Sequence, residues 1–324
     1  MNIKINKVTK TIIDTKLRLE FFEKMHLVRK FEYNVLKLLR EGVVLGSVHL
    51  DIGEEAVKVG TIMPLADSDY LIPTHRGHGQ HLIKGTDPGR LLAELSGKVT
   101  GLCKGRAGSV HIFDKEHNDL GVTAIVGAQL PISVGVGMAI KYKKGNSCVM
   151  CNFGDGTTNQ GWFYEALNLA SLWELPIIFT CDNNFYGMGT PYDRTSNAKI
   201  HEKAELFHIR SETVDGNDVE AVYTQTKEIV DWVKSEKKPA LIECYTYRWI
   251  GHSAFDTRPY RPKKEIEAWK ERCPIKKLKN KLLQEGVIEK TLDDIEKKVT
   301  ILIEKAEKFA VESAFPEFDD SMLM

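Results

Sequence analysis

Two short polar runs carry the residue types that chemistry would need. Gly154-Asp155-Gly156 sets a carboxylate between two glycines, and Asp182-Asn183-Asn184 stacks three oxygen-bearing side chains. Each run follows a strand-like stretch (147–153 and 176–181), with a helix-like stretch between them. Glycines let backbone N–H groups approach an anion closely, and the start of the following helix adds a positive end, so a diphosphate is the natural guest. A bare carboxylate repels that guest, and more strongly as water is excluded. A divalent cation resolves the conflict by binding both. Mg²⁺ takes near-octahedral oxygen ligands, commonly one or two protein side chains, phosphate oxygens and water. Asp155 offers a carboxylate and Asn184 a neutral amide oxygen, and the backbone carbonyl of Phe185 or Tyr186 can complete the set. Two other readings stand beside this one. Gly154-Asp155-Gly156 begins like a dinucleotide-binding G-x-G-x-x-G, but its sixth position is Asn159 and the next glycine is Gly161. The residues are also compatible with a tight Asp-Gly turn and a polar strand end without a ligand.

The histidines invite a further reading. His75, His78 and His81 are spaced in threes, as metal ligands can be, but their loop lacks acidic or cysteine ligands nearby, so separate roles are expected. His78 either lines a site or caps a turn, His111 is local, and His26 is packed or superficial. Cys148 and Cys151 form a C-x-x-C on a predicted strand, where odd spacing puts them on opposite faces and disfavours both a disulfide and a shared metal.

Elements must position these groups. Residues 16–41 carry Leu17, Phe21, Met25, Val28, Phe31, Val35 and Leu38 at helical period, with Gly42 as a stop. A second helix is expected over 49–63. From 72 to 111 the chain is glycine-rich, with His75, Arg76, His78, His81, Lys104 and Arg106, and reads as loops around one helix at 88–96. A small-residue helix at 132–141, a helix near 218–235 and a strand at 240–247 follow. Near the end, Thr291 and Asp294 resemble a capping box ahead of an apolar stripe at Ile295, Val299, Ile303, Ala306 and Ala310. Alternating strands and helices predict an α/β fold, a mostly parallel sheet with helices on both faces, and ligands beyond the carboxyl ends of its strands. The expected organisation is one domain over 1–324: a helical N-terminal segment to about 70, an α/β core over 71–262 and a helical tail over 263–324.

Composition narrows the class. Forty-five basic residues balance forty-five acidic ones, which gives no reason to expect nucleic acid or a membrane surface as a partner. No run approaches the roughly 20 apolar residues of a membrane helix. The opening MNIKINKVTKTIIDTKLRLE has no apolar signal core, and its Asp14 and Glu20 are unlike a transit peptide. Six scattered cysteines suit a reducing compartment, so a cytoplasmic protein is expected, an organelle matrix being the other possibility.

The run GDGTTNQGWFYEALNLASLWELPIIFTCDNNFYGMGT resembles the α subunits of the two-chain, thiamine-diphosphate-dependent 2-oxo-acid dehydrogenases, the pyruvate and acetoin enzymes. SVHLDIGEEA (47–56), THRGHG (74–79), GLCKGRAGSVH (101–111), IVGAQLPISVGVGMA (125–139) and YRWIGHSAFDTRPYR (247–261) are similar in the same order. The resemblance implies a thiamine-diphosphate-binding fold. It implies Mg²⁺ on Asp155, Asn184 and the carbonyl of Tyr186, with Gly154, Gly156, Arg76 and His75 at the diphosphate. Backbone at Ala124 and Val126 would meet the aminopyrimidine, and His49 and His252 would lie near the reacting carbon. It further implies a β subunit in an α2β2 assembly, which supplies the acid that activates the cofactor, and a lipoyl-bearing acyltransferase that takes the product. The substrate would be a small 2-oxo acid or acetoin. His75 and the short N-terminus lean toward acetoin, whereas YGMGT (186–190) leans toward pyruvate. A branched-chain 2-oxo-acid enzyme, a split transketolase subunit and a non-catalytic homologue are the alternatives. Three departures stand out. Ala124 occupies a position often glycine, and Ala107 replaces a glycine of the basic loop. The stretch from Asp256 to Tyr260 is one residue short beside Ser253, which puts regulation by phosphorylation in doubt.

Overall fold

The computed structural model describes residues 13–317. The first twelve residues of the opening stretch, and with them most of the targeting-signal reading, lie outside the described residues. Helix α1 (Thr15–Arg40) starts where Asp14 accepts the Leu17 N–H at 2.8 Å, and its periodic positions, from Phe21 to Leu38, are buried. Helix α2 (Glu55–Ile62) is shorter than the expected 49–63. Gly53 sits at φ +104°, outside helical space, and packs so tightly that a Cβ there would lie 2.4 Å from the Tyr247 carbonyl. Residues 49–54 are therefore not helical.

Strand β1 (Tyr70–Ile72) follows, then α3 (His78–Lys84) and α4 (Pro88–Leu95). Helix α3 corrects the expectation of a single helix between 72 and 111; glycines at 77, 79 and 85 mask so short a period. Next come α5 (Gln129–Tyr142), β2 (Val149–Gly154), α6 (Gly161–Leu172), β3 (Ile177–Asn183) and a small hairpin of β4 (Tyr186–Gly187) and β5 (Thr190–Pro191). The chain continues through α7 (Ile200–Glu205), β6 (Arg210–Asp215), α8 (Val219–Glu236), β7 (Ala240–Tyr245), α9 (Lys263–Glu271), α10 (Pro274–Gln284) and α11 (Glu289–Glu312). The capping box expected at Thr291 and Asp294 is not formed, because α11 already begins at Glu289, behind Ile288, which contributes no side-chain cap. The earlier start adds the buried Leu292 to the stripe of Val299, Ile303, Ala306 and Ala310, which packs on α1 and α4.

Five strands form one fully parallel sheet in the order β1-β2-β3-β7-β6. Alternate residues feed two cores. Cys148, Met150, Ile178, Ile242 and Cys244 join the side covered by α1, α2 and α8, whereas Val149, Cys151, Phe153, Phe179 and Leu241 join the side covered by α5 and α6. Cys148 and Cys151 thus lie on opposite faces, as expected, and all six cysteines are free. No described helix is long and apolar enough to cross a membrane.

Helix α2 can lie against α8 because Gly60 has no side chain: a Cβ there would sit 2.6 Å from Val222 Cβ. Ala for Gly favours a helix by up to about 1 kcal/mol, but overpacking a tight contact costs about 1–3 kcal/mol. Gly60→Ala should therefore lower the midpoint of thermal unfolding, and adding Val222→Ala should restore part of the loss.

Candidate active site

The parallel register sets Gly154 beside Asp182, so the two polar runs leave neighbouring strands at the same level. The loops after β1, β2, β3 and β7 converge there around a cavity of about 310 Å³. The β1 loop contributes Thr74, His75 and Arg76, β2 contributes Gly154, Asp155 and Gly156, β3 contributes Asp182, Asn184 and Tyr186, and β7 contributes Arg248 and His252. The glycines serve close approach: a Cβ on Gly156 would lie 3.1 Å from the Gly187 Cα of the hairpin. The helix expected directly after Gly156 starts later. A 3-10 turn over Asp155–Asn159 intervenes, and α6 begins at Gly161, so N–H groups near the glycines belong to the turn.

Several buried polar atoms at this cavity have no hydrogen-bond partner among the described residues. Among them are Asp155 Oδ2, Asn184 Oδ1, Asp182 Oδ1 and Glu54 Oε2. Such atoms are costly unless a ligand or ion engages them. The Asn184 Nδ2 donates to Glu54 Oε1 at 2.8 Å, which fixes the sense of the amide and leaves its Oδ1 free of a protein partner in a residue that lines the cavity. Burial pushes the Asp155 carboxyl up to about 7, against the pull of Arg248. A carboxylate and an amide oxygen at adjacent strand ends are a donor set for a hard, oxygen-seeking cation. Phe185, at φ +67°, has its carbonyl taken by the Tyr192 N–H at 2.9 Å. The Tyr186 carbonyl accepts from Arg248 Nη1 at 3.2 Å and keeps one lone pair.

A buried charge network holds this wall. Lys58 Nζ lies 2.5 Å from Asp182 Oδ2, 3.2 Å from Asp51 Oδ1 and 3.8 Å from Glu54 Oε2, all without solvent contact or nearly so. Burial opposes the ammonium charge, yet Asp182 and Asp51 hold the Lys58 pKa above its ordinary value. Burial pushes the Asp51 and Asp182 carboxyls up, against the pull of Lys58 on both, and Arg76 Nε adds a second cation 3.7 Å from Glu54 Oε2. The network runs on: Glu32 on α1 accepts the Asp51 N–H at 3.1 Å and meets His78 Nδ1 at 3.0 Å, while His78 Nε2 meets Ser109 Oγ at 2.8 Å.

Arg76 is the second organiser. Its Nη1 donates to the Leu50 carbonyl at 2.7 Å and its Nη2 to the His252 carbonyl at 2.8 Å. One N–H on each nitrogen remains for a ligand. Of the expected site residues, His75, Arg76, Val126, Gly154, Asp155, Gly156, Asn184, Tyr186 and His252 all line the cavity. His49 stands just behind, its ring 4.8 Å from those of both His75 and His252. Ala124 does not line the cavity; it lies exposed in the loop that carries Val126, and its φ is not positive. The run of histidines at 75, 78 and 81 does not form a cluster. His78 is tied to Glu32 and His81 to Asp119, both fully buried. Sequence reading missed Glu54, Lys58 and Arg248. A lysine or glutamate in a helical segment carries no sign of burial until the strand ends opposite it are known.

The family model for the dehydrogenase E1 component matches residues 23–319. The chain is 43% identical over 305 residues to the α subunit of the acetoin:2,6-dichlorophenolindophenol oxidoreductase of Bacillus subtilis, covering 94% of this chain and 91% of that one. It is 39% identical over 306 residues to the pyruvate dehydrogenase E1 component α subunit of Zymomonas mobilis, covering 94% and 86%. The corresponding Rickettsia prowazekii subunit is 39% identical over 301 residues, covering 92% of each chain.

Two measurements follow from this geometry. Lys58→Met should destabilise the chain by about 3–5 kcal/mol in denaturant unfolding, because it strands three buried carboxylates. Burial and Arg76 lower His49 to about 3 and His252 to about 4. With folded pKa values below the unfolded 6.5, their contribution to stability is complete above pH 6.5 and is lost as pH falls toward 4. Unfolding free energy should therefore decline through that window, and His49→Gln should flatten the decline.

Proposed function

The chain belongs to the dehydrogenase E1 component family, and on that footing we propose that it is the α subunit of a thiamine-diphosphate-dependent pyruvate or acetoin dehydrogenase. The observation that carries this reading is the pair of buried, unpartnered oxygens Asp155 Oδ2 and Asn184 Oδ1, at neighbouring strand ends of a cavity that two arginines also line. In this reading Asp155, Asn184 and the Tyr186 carbonyl hold Mg²⁺. Arg76, through its two remaining Nη N–H groups, and His75 meet the diphosphate, which the loop backbone at Gly154 and Gly156 approaches closely. The backbone at Ala124 and Val126 meets the aminopyrimidine. When bound, thiamine diphosphate supplies an acidic ring carbon and an electron sink.

The protein's share of the work is to orient, exclude water and move protons. Asn184, fixed by Glu54, presents its oxygen without rotamer search. Burial and Arg76 hold His49 and His252 neutral, at His252 against the opposing pull of Asp256, so at neutral pH each ring offers a lone pair that can accept a proton near the reacting carbon. Pyruvate loses carbon dioxide without a base, whereas cleaving acetoin requires removal of a hydroxyl proton. Three neutral imidazoles in one corner favour acetoin of the two. A β subunit would supply the activating acid, and a lipoyl-bearing acyltransferase would take the two-carbon unit. The broad exposed apolar surface of α5 and α6, including Ile132, Tyr142, Trp162 and Leu172, supports a partner chain. A cytoplasmic site of action is consistent with six free cysteines.

Co-purification with a candidate β chain, followed by calorimetry with thiamine diphosphate and Mg²⁺, tests the assignment. Asp155→Asn should weaken Mg²⁺-dependent cofactor binding by about 100-fold or more. The assembly should reduce an artificial acceptor with acetoin or pyruvate. Turnover of sugar phosphates instead would make it a split transketolase, turnover confined to branched-chain 2-oxo acids would move it to that enzyme group, and cofactor binding without turnover of any of them would make it non-catalytic.

A further inference from the structure

His49, His75 and His252 come from three separate loops and meet at one side of the cavity, each partly buried, with ring nitrogens all within 4.8 Å of one another. Their ring centroids are 4.8, 4.8 and 5.6 Å apart. Elsewhere in the chain, His78, His81 and His201 are each matched with a carboxylate. The rings of these three pack on one another, and His49 Nδ1 and His252 Nδ1 are buried with no hydrogen-bond partner among the described residues. Edge-to-face ring packing does not account for them, since leaving buried nitrogens unpaired costs more than such packing returns.

The cluster is also built to hold its shape. Arg76 follows His75 directly, and its guanidinium binds the His252 carbonyl and the carbonyl of Leu50, next to His49. One side chain therefore ties together the three backbones that carry the imidazoles.

We infer that His49, His75 and His252 form a binding site for a divalent transition cation of the zinc class, with three neutral imidazoles as ligands and water in the fourth position. Three histidines and an open position are a known zinc geometry, and imidazole suits Zn²⁺, Co²⁺, Ni²⁺ and Cu²⁺, whereas Mg²⁺ prefers the oxygens of Asp155 and Asn184. Zinc–nitrogen bonds of about 2.0–2.1 Å put the ligand nitrogens about 3.4 Å apart. The nitrogens lie within 4.8 Å of one another, so they must draw closer to bind, and none of the three rings makes a side-chain hydrogen bond among the described residues that this would break. The low pKa of the imidazoles keeps them unprotonated and ready to ligate at neutral pH. Arg76 and Arg248 stand nearby and repel a cation, so binding is reversible rather than structural. A bound cation would occupy the nitrogens assigned above to proton transfer and so compete with turnover. That consequence rests on the proposed function; the binding itself does not.

The test uses the tag-free full chain, without thiamine diphosphate or Mg²⁺, titrated with Co²⁺ and followed by its visible d–d absorption. One equivalent should give an intense band of low coordination number, and Zn²⁺ should displace it. His75→Phe and His252→Asn should each weaken Co²⁺ binding by about 100-fold while circular dichroism and the unfolding midpoint report an intact fold. Asp155→Asn should leave the band unchanged. No band at one equivalent, a band that survives both histidine variants, one lost in Asp155→Asn, or sulfur-to-cobalt charge transfer would each overturn the inference. None of these readouts depends on turnover, so failure of the enzymatic assignment would leave the result interpretable.

Discussion

The Lys58 ammonium is the interaction around which the cavity is organised. It lies on α2 and reaches across to Asp182 at the end of β3, with Asp51 and Glu54 on the way. Desolvating an ion of this kind costs several kcal/mol, which only close and multiple carboxylates can offset. The arrangement does more than balance charge. Glu54, held within the cluster, receives the Asn184 amide and so decides which way the Asn184 oxygen faces. Asp51, held by Lys58 from one side and by the Gly79 N–H at 2.7 Å from another, joins the same cluster to the start of α3. A single lysine thus couples the N-terminal helices to the sheet edge where chemistry is expected.

Arg76 and Arg248 extend the same logic to the loops. Loops that leave four strand ends have no ladder of their own, so their carbonyls must find donors elsewhere. Arg76 serves Leu50 and His252, while Arg248 serves Tyr186 and Met188. Asp256 closes the far side by accepting the His252 N–H at 2.7 Å and the Arg258 N–H at 2.8 Å, and Tyr260 bonds to it as well. The hydrogen bonds at Asp256 hold its carboxyl near 2 despite the opposing effect of desolvation, so this latch stays ionised across physiological pH. Cationic and anionic side chains fix backbone here in the way that strands fix it elsewhere.

Much of this was readable from the sequence where a pattern is local. The glycine-flanked Asp155 and the Asn183-Asn184 pair announced themselves because a strand end followed by oxygen ligands is unusual composition in a short window. The α1 stripe and the opposite faces of Cys148 and Cys151 followed from periods of 3.6 and 2. What escaped was whatever depends on distance in space. Strand β6 (RSETVD) is polar at every position but Val214 and only partly buried, so it has no apolar alternation to betray it. Helix α3 is seven residues long and flanked by glycines. The separate roles expected of His75, His78 and His81 hold, whereas the histidine cluster that does exist draws its members from loops that the sequence separates by 26 and 177 positions. The network at Lys58 was invisible for the same reason: charge in a helical segment reads as solvated until the fold buries it.

The rim of the cavity carries exposed apolar side chains. Val126 lines it, and in the same loop Ile125 is 62% exposed. A Cβ on Gly127 would lie 3.2 Å from Gln160 and 3.6 Å from Trp162, so that loop packs on the start of α6, where Trp162 and Tyr164 are exposed. At the far ends of α5 and α6, Tyr142 is 87% exposed and Leu172 68% exposed. Exposed apolar side chains of this size are unfavourable in water and would be stabilised by a covering chain. Because the loop of Val126 packs on the start of α6, a chain that covered α6 there would also lie beside the cavity rim. Asn184 and the backbones that carry His49, His75 and His252 are already held by this chain's own hydrogen bonds, so a covering chain would add the exclusion of water rather than the geometry.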